Sequence, residues 1–167
     1  MAQVYTLNGQ VKPLSTLDGS VLFRKMCDVG SLTEKQIAQR LMQHRLPNVV
    51  TIYDVKCGYI DMELLDVFYN DIKTQEADIR AAIDQLHSLR VVYVDIKYDN
   101  FGYSHADGCW KLFDFDGSGI LKESVNEWAL EPPEFHMYRH MSSRVQDERR
   151  PFEDIDALAL DVVFRKS

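Results

Sequence analysis

The spacing of apolar residues changes between residues 65 and 75, and this change restricts the folds open to the chain. Over the first 65 residues, short apolar runs alternate with turn residues as in β-strands, except at residues 31–44, where apolar residues recur at helical spacing. Helical spacing returns at residues 75–90 and again from Asp154. The sequence therefore predicts an α+β protein in which a small sheet with one helix precedes a more helical part.

Turn residues between the apolar runs predict the individual strands. Asn8–Gly9 predicts a tight hairpin turn within residues 3–12, and Asp107–Gly108 predicts a turn between two later strands. Residues 116–133 are typical of a loop and end in Pro132–Pro133. The other predicted strands are residues 20–26, 48–55, 58–65, 91–94, 100–104 and 109–115.

The charge and cysteine content argue against several classes of protein. With 26 acidic and 19 basic residues the formal charge is -7, so we expect no binding to nucleic acid or to an anionic membrane surface. Three widely spaced cysteines, Cys27, Cys57 and Cys109, form no zinc pattern and suit a reducing compartment. The start lacks a signal-peptide pattern, and no apolar segment approaches the roughly 20 residues of a membrane span. The chain is expected in the cytoplasm, of its own cell or of a host.

The stretch YVDIKYDN at residues 93–100 carries the strongest chemical signal. It contains Asp95, Lys97 and Asn100, and Asp114 follows fourteen residues after Asn100 in the sequence DFDG. Phosphoryl transfer requires such groups: a carboxylate that orients or deprotonates the attacking hydroxyl, a cation near the transferring phosphate, and oxygen ligands for magnesium. Loops that follow rigid strands could bring the four side chains together.

The pattern D-x-K-x-x-N, followed by DFD, resembles the catalytic loop and metal-binding motif of protein kinases. The resemblance implies a single two-lobed protein kinase-like domain, with a small N-terminal sheet lobe at 1–65 and a shortened helical C-terminal lobe at 66–167. It also implies ATP and Mg²⁺ as cofactors. In that family Asp95 would be the catalytic base and Lys97 would neutralise the transferring phosphate, while the metal ligands would be Asn100 and Asp114.

Further segments extend the resemblance along the chain. YIDMELLD resembles the strand that enters the kinase hinge, which would make Met62 the gatekeeper and Glu63 to Leu65 the segment that contacts adenine. Pro132-Pro133-Glu134 resembles the motif that closes the activation segment. Asp154 resembles the buried acid of the next helix, which braces the catalytic loop.

A kinase also pairs a lysine of its third strand with a glutamate of the following helix. Arg24 and Lys25 both fit the strand position, but only one of two consecutive residues can face the cleft, and we favour Lys25. Glu34 fits the helix position. Glu34 is also the third residue after Ser31 in a capping box, and the two roles are compatible.

Several family features are missing or changed. The first hairpin lacks the glycine-rich loop, and Tyr93 and Val94 replace the usual histidine and arginine before the catalytic aspartate. Asp116 replaces the glycine of the metal-binding motif. By this resemblance, the last helices of the family, which would follow the apolar helix that begins at Asp154, are expected to be absent. We expect a partner or a second copy to cover the resulting surface, which contains Leu158, Leu160, Val162 and Val163.

Three functions fit these residues. The leading expectation is an ATP- and magnesium-dependent kinase that acts on serine or threonine hydroxyls of a protein substrate. The alternative is a kinase-shaped binding module that regulates a partner protein without efficient catalysis, favoured by the missing glycine-rich loop. A third is a small-molecule phosphotransferase, favoured by Asp116. The expected partners are a protein substrate or regulatory partner, or a second copy in a homodimer.

Overall fold

A computed structural model describes residues 4–5, 11–12, 22–28, 30, 32–130 and 136–165. The predicted turn at Asn8–Gly9, the Ser31 cap and the Pro132-Pro133-Glu134 motif lie outside these residues. The strands of the described residues are β1 (Val4–Tyr5), β2 (Val11–Lys12), β3 (Leu22–Met26), β4 (Ile52–Val55), β5 (Tyr59–Glu63), β6 (Val91–Val92), β7 (Phe101–Ser104), β8 (Cys109–Leu112) and β9 (Gly119–Ile120). The helices are α1 (Leu32–Gln43), α2 (Gln75–Ser88), α3 (His136–Asp147) and α4 (Asp154–Val163), and a short 3-10 helix spans Tyr98–Asn100.

The N-terminal part is a small antiparallel sheet with one helix, as the alternating pattern predicts. Strands β3, β5 and β4 pair in that order, and β1 pairs with β2. Helix α1 buries Glu34, Ile37, Ala38 and Leu41, which recur at helical spacing on one face. The predicted α+β class is confirmed.

In the C-terminal part, α2 buries Ile79, Ala82, Ile83 and Leu86, the residues whose spacing predicts this helix. Strands β7 and β8 form an antiparallel hairpin. The hairpin turns at Gly108, whose φ of 67° lies in the left-handed region that glycine adopts without strain. The predicted turn at this position is therefore confirmed.

The sequence pattern does not predict two elements of this part, α3 and β9. Helix α3 has no predicted counterpart; over residues 140–147, where its side chains are described, it buries Met141, Ser142 and Val145. Strand β9 has two residues and forms because β6 lies beside it, with Val91 opposite Ile120. Strand β9 lies within residues 116–133, which the sequence predicts as a loop. Strand β6 is also shorter than the predicted 91–94, because the chain turns sharply after Val92.

One contiguous hydrophobic cluster extends from α1 to α4 and joins the two parts of the chain. The predicted partner surface on α4 is partly wrong, because Leu160 is only 5% exposed and belongs to this cluster. Leu158 and Val163 are half-buried, and Val162 is 49% exposed. Within the described part of the chain, no helix combines the length and apolar character needed to cross a membrane.

A buried lysine fastens the end of β5 to the β7–β8 hairpin. The Lys111 side chain is 1% exposed, and its Nζ lies 2.8 Å from Glu63 Oε1 and 2.5 Å from Asp107 Oδ2. Ser104 Oγ donates a hydrogen bond of 2.6 Å to Glu63 Oε2. Burial alone would lower the pKa of Lys111, but the hydrogen bonds to Asp107 and Glu63 raise it above its ordinary value. Lys111 therefore stays charged and paired.

Leu65, just beyond β5, packs on Gly102 of β7. A Cβ atom at Gly102 would lie 2.4 Å from Leu65 Cβ, which is closer than two carbon atoms can approach, so glycine is required there. Reciprocal hydrogen bonds of 2.9 Å join the backbones of Asp66 and Tyr103 beside this contact. The chain leaving the N-terminal sheet is thereby held directly against the β7–β8 hairpin.

We predict that Lys111→Met lowers the free energy of unfolding by about 3 kcal/mol, because it leaves the largely buried Glu63 carboxylate without its cation. Urea denaturation followed by circular dichroism measures the change. The double variant Lys111→Met/Glu63→Gln removes both charges and should recover part of the loss. If the double variant loses the sum of the two single changes, the charges do not interact as described.

Candidate active site

The backbone before Asp95 forms a strained three-residue turn. Val94 has a φ of 72°, a left-handed conformation that is rare and costly for a β-branched residue. The Asp95 N–H donates a hydrogen bond of 2.9 Å to the Tyr93 carbonyl, which closes the turn around Val94. This turn ends strand β6 and sets the direction in which Asp95 leaves the core.

The carboxylate of Asp156, on α4, holds this turn in place. Asp156 is fully buried; its Oδ2 accepts a bond of 2.9 Å from the Tyr93 N–H, and its Oδ1 accepts one of 2.7 Å from the Val94 N–H. His87 Nε2 of α2 lies 2.7 Å from the same Oδ2. Two backbone donors and one side chain thus converge on a single carboxylate, which stabilises a conformation that the chain would otherwise avoid.

The prediction that Asp154 braces this loop is wrong. Asp154 Oδ2 instead lies 2.8 Å from Arg150 Nε, and both side chains are about one-third exposed. The helical period explains the difference, because a residue two positions further along a helix lies on the opposite face. The buried face of α4 consists of Ile155, Asp156, Ala159 and Leu160.

Asp95, Lys97 and Asn100 lie together on the loop that follows the turn. Lys97 Nζ is 3.3 Å from Asp95 Oδ2. Asn100 Nδ2 donates a hydrogen bond of 2.9 Å to the Asp95 carbonyl and lies 3.3 Å from Asp95 Oδ2. The Asp95 side chain is 20% exposed and that of Lys97 is 52% exposed, so a molecule in solvent can reach both. The three predicted residues are therefore brought together.

Tyr93 connects this loop to the loop that carries Asp114. The Tyr93 hydroxyl donates a hydrogen bond to the Phe113 carbonyl, and the ring contacts Phe115 edge to face at a centroid distance of 5.6 Å. Ser118 Oγ donates a hydrogen bond of 2.9 Å to the Tyr93 carbonyl. Burial raises the pKa of the Tyr93 hydroxyl well above its ordinary value, so it remains a donor.

A backbone hydrogen bond also connects the two loops. The Phe113 N–H donates a bond of 3.2 Å to the Asn100 carbonyl, so Asp114 follows directly after a residue fastened to the Asp95 loop. Asp114 has a φ of 66°, the second strained backbone position in the site. The two loops therefore form one hydrogen-bonded unit.

Lys25, and not Arg24, faces the site. Arg24 lies on the opposite face of β3, where Nε is 2.7 Å from Asp61 Oδ1 and the guanidinium stacks 3.8 Å from the ring centre of Tyr59. Alternation along the strand then directs Lys25 to the other face, towards α1 and Asp114. The choice between the two residues, which the sequence left open, is decided by the pairing of Arg24.

The Lys25 ammonium lies among three carboxylates. Its Nζ is 2.7 Å from Glu34 Oε1, 2.9 Å from Asp114 Oδ1 and 2.8 Å from Asp116 Oδ1. Burial opposes the charge of Lys25, but Asp114 and Glu34 outweigh it and raise the pKa of the ammonium above its ordinary value. Glu34 therefore pairs with Lys25, whereas its suggested bond to Ser31 falls outside the described residues.

The carboxylates around Lys25 do not ionise independently. Burial, together with a hydrogen bond shared with Asp116, raises the pKa of Glu34 to about 7, against the opposing effect of Lys25. Burial also works to raise the pKa of Asp116, but its hydrogen bonds to Glu34 and Lys25 lower it overall. Near neutral pH, Glu34 thus holds a proton for part of the time while Asp116 stays charged.

The predicted hinge residues have other contacts. Met62 is 3% exposed and Leu65 is 9% exposed, and both belong to the core. The Glu63 carboxylate is occupied by Lys111 and Ser104. The side chains of these three residues are therefore not part of the Lys25 cluster, and a contact between their backbone and adenine stays a prediction.

The donor set suits a cation that prefers oxygen ligands. Glu34, Asp114 and Asp116 offer carboxylate oxygens that all lie within 4.8 Å of one another. Asn100 directs its Nδ2 to Asp95, so its Oδ1 points away from that residue. Asp114 Oδ1 accepts the bonds from Lys25 and from the Asp116 N–H, and no described hydrogen bond uses Oδ2. These oxygens fit the preference of Mg²⁺.

Sequence reasoning missed the residues that hold the site together. It identified Tyr93 only as a replacement for a family residue, and it did not single out His87 or Ser118. For Asp156 a signal was present, because this residue shares the helical period of the apolar residues of α4 and Asp154 does not. No local pattern in the sequence could show that the Tyr93 hydroxyl contacts the Phe113 carbonyl.

We predict that Asp156→Asn lowers the free energy of unfolding by about 2–4 kcal/mol, because the amide replaces an acceptor with a donor beside two backbone N–H groups. The matched control, Asp154→Asn, should cost less than about 1 kcal/mol because its ion pair is exposed. Guanidinium denaturation of both variants measures the difference. Equal losses would contradict the bracing role of Asp156.

We predict that Glu34→Gln becomes more stable relative to wild type as pH rises. A carboxyl whose folded pKa lies above its unfolded value costs stability as pH passes from the unfolded pKa to the folded one, here from 4.5 to about 7. Glutamine does not ionise, so the stability difference should shift in its favour by about 2 kcal/mol between about pH 5 and pH 8. Urea denaturation across this range measures it, and a difference independent of pH would contradict the assignment.

Neither a scan against protein-family models nor a search of curated proteins finds a match to this sequence. The functional interpretation therefore depends on the residues of the chain and their geometry.

Proposed function

We propose that the chain transfers the terminal phosphoryl group of ATP, with Mg²⁺, to a serine or threonine hydroxyl of a protein. The proposal includes a two-lobed kinase-like arrangement of residues 1–65 and 66–167. One observation carries it: Lys25, bound to Glu34 and Asp114, lies in the same hydrogen-bonded framework as the strained loop that presents Asp95. These are the groups that phosphoryl transfer needs.

Asp95 is the proposed base. Its carboxylate is partly exposed, and its two side-chain contacts, to Lys97 and Asn100, are both 3.3 Å long. It therefore keeps the capacity to accept the proton of an incoming hydroxyl. Asn100 fixes the orientation of Asp95 through the bond to its carbonyl. Lys97 supplies a positive charge on the solvent side, where negative charge on the transferring phosphate would accumulate.

Lys25, Asn100 and Asp114 are the proposed ligands of the nucleotide phosphates and their metal. Lys25 would bind phosphate oxygens, with Glu34 orienting its ammonium. Asn100 Oδ1 and Asp114 Oδ2 would hold magnesium, which when bound neutralises charge on the phosphates. The hydrogen bond from the Phe113 N–H to the Asn100 carbonyl joins the backbones that carry these two ligands.

The alternative, a kinase-shaped binding module, is supported by an exposed apolar segment. After β5 the chain exposes Leu64 (39%), Val67 (48%), Phe68 (90%) and Ile72 (63%). Exposed apolar side chains that form one contiguous patch are typical of protein-binding surfaces, and these four would have to form such a patch. A binding module would keep its effect on a partner when Asp95 and Asp114 are both replaced by asparagine.

We predict that ATP with Mg²⁺ raises the melting temperature of the chain by about 3 °C when its concentration is about ten times the dissociation constant. Differential scanning fluorimetry with ATP, Mg²⁺ and both together measures the shift. Asp114→Asn should lose the part of the shift that requires Mg²⁺. The control Asp161→Asn, at a carboxylate whose side chain is 75% exposed on α4, should keep all of it.

Catalysis is tested separately, with radiolabelled ATP and either casein or the chain itself as acceptor. Asp95→Asn should bind ATP as wild type does and lose transfer by a factor of at least about 100, as expected when a proton acceptor is removed. Retained transfer in Asp95→Asn would contradict the assignment of the base. Absence of any thermal shift at millimolar ATP would contradict the proposed function as a whole and favour the binding module.

A further inference from the structure

Three carboxylates surround the ammonium of Lys25. An ammonium group has three N–H donors and no acceptor. Lys25 Nζ lies within 2.9 Å of one oxygen from each of three residues, Glu34, Asp114 and Asp116. Asp114 and Asp116 accept hydrogen bonds from this ammonium, and Glu34 forms an ion pair with it. A phosphate oxygen that binds Lys25 must therefore compete with these three carboxylates.

The three carboxylates differ in how firmly they are held. The Glu34 side chain is 7% exposed on the inner face of α1, and that of Asp114 is 21% exposed. Asp116 is 52% exposed, and its side chain is the most open of the three to water. A carboxylate that gains water on leaving loses less free energy than one that must leave a buried position. Asp116 is therefore the ligand that a phosphate displaces at least cost.

We propose that Asp116 is an internal competitor of phosphate for Lys25 and closes the phosphate site until a nucleotide displaces it. This inference depends on the proposed function, since it concerns how the same lysine receives ATP. It assigns Asp116 a role opposite to that of Asp114: Asp114 supports nucleotide binding, whereas Asp116 opposes it. Asp116 acts through Lys25 and is a positioning residue.

The experiment measures dissociation constants by isothermal titration calorimetry in the presence of EDTA. Its ligands are ATP, tripolyphosphate, which has the phosphates without the nucleoside, and adenosine, which has no phosphate. Asp116→Asn should bind ATP and tripolyphosphate about fivefold more tightly than wild type and leave adenosine unchanged. Asp116→Ala should show the same direction. A merely structural role of Asp116 would affect adenosine as well.

Asp99→Asn is the matched control. Asp99 is an exposed acid that directly precedes Asn100 in the sequence. No described contact joins it to Lys25. Its replacement removes the same charge as Asp116→Asn. It should change the affinity for ATP by less than about twofold, because exposed charges are screened by solvent. Equal tightening by the two variants would show a general charge effect and overturn the proposal.

The outcomes separate this proposal from the proposed function. If wild type binds ATP and Asp116→Asn binds it equally or more weakly, the competitor role is wrong and the proposed function stands. If Asp116→Asn binds ATP as wild type does in EDTA and more weakly than wild type when Mg²⁺ is added, Asp116 holds the metal. That result also overturns the proposal. If neither protein binds ATP but the variant binds tripolyphosphate more tightly, the competitor role stands and the nucleotide function fails. If no ligand binds either protein, both fail.

Discussion

The contact between the Asp156 carboxylate and the backbone of Tyr93 and Val94 is the constraint on which the rest of the site depends. A left-handed valine costs free energy, and only surrounding structure can maintain it. Asp156 does so from inside the core, with two backbone N–H donors and His87 converging on it. The direction of Asp95 is thus set by a helix that lies about sixty residues further along the chain.

The second organising contact is electrostatic. One ammonium, Lys25, faces three carboxylates, so the group carries excess negative charge that burial makes costly. The chain reduces this cost by partial protonation of Glu34 and by leaving Asp116 half in solvent. A divalent cation, if bound as proposed, would neutralise the excess negative charge that remains.

The sequence predicted the parts that follow from local period and missed those that follow from tertiary contact. Alternation along β3 required Arg24 and Lys25 to lie on opposite faces, and helical period predicted α1, α2 and α4. Strand β9 exists because β6 pairs with it, and the turn at Val94 exists because Asp156 holds it; neither has a local signal. Asp154 was chosen by family resemblance, although the buried face of α4 favours Asp156.

Several features of the site lower the stability of the folded chain. Two residues, Val94 and Asp114, have left-handed backbones at about 1–3 kcal/mol each, and Glu34 is buried beside another acid. Left-handed backbones also occur outside the site, at Arg90, Ser124 and Arg149, so backbone strain alone does not distinguish it. Elsewhere the buried charge of Lys111 is fully paired and strengthens the connection between β5 and the β7–β8 hairpin. Two left-handed backbones and a buried, partly protonated acid occur together around Lys25 and Asp95, and this combination supports a binding or catalytic role for the cluster.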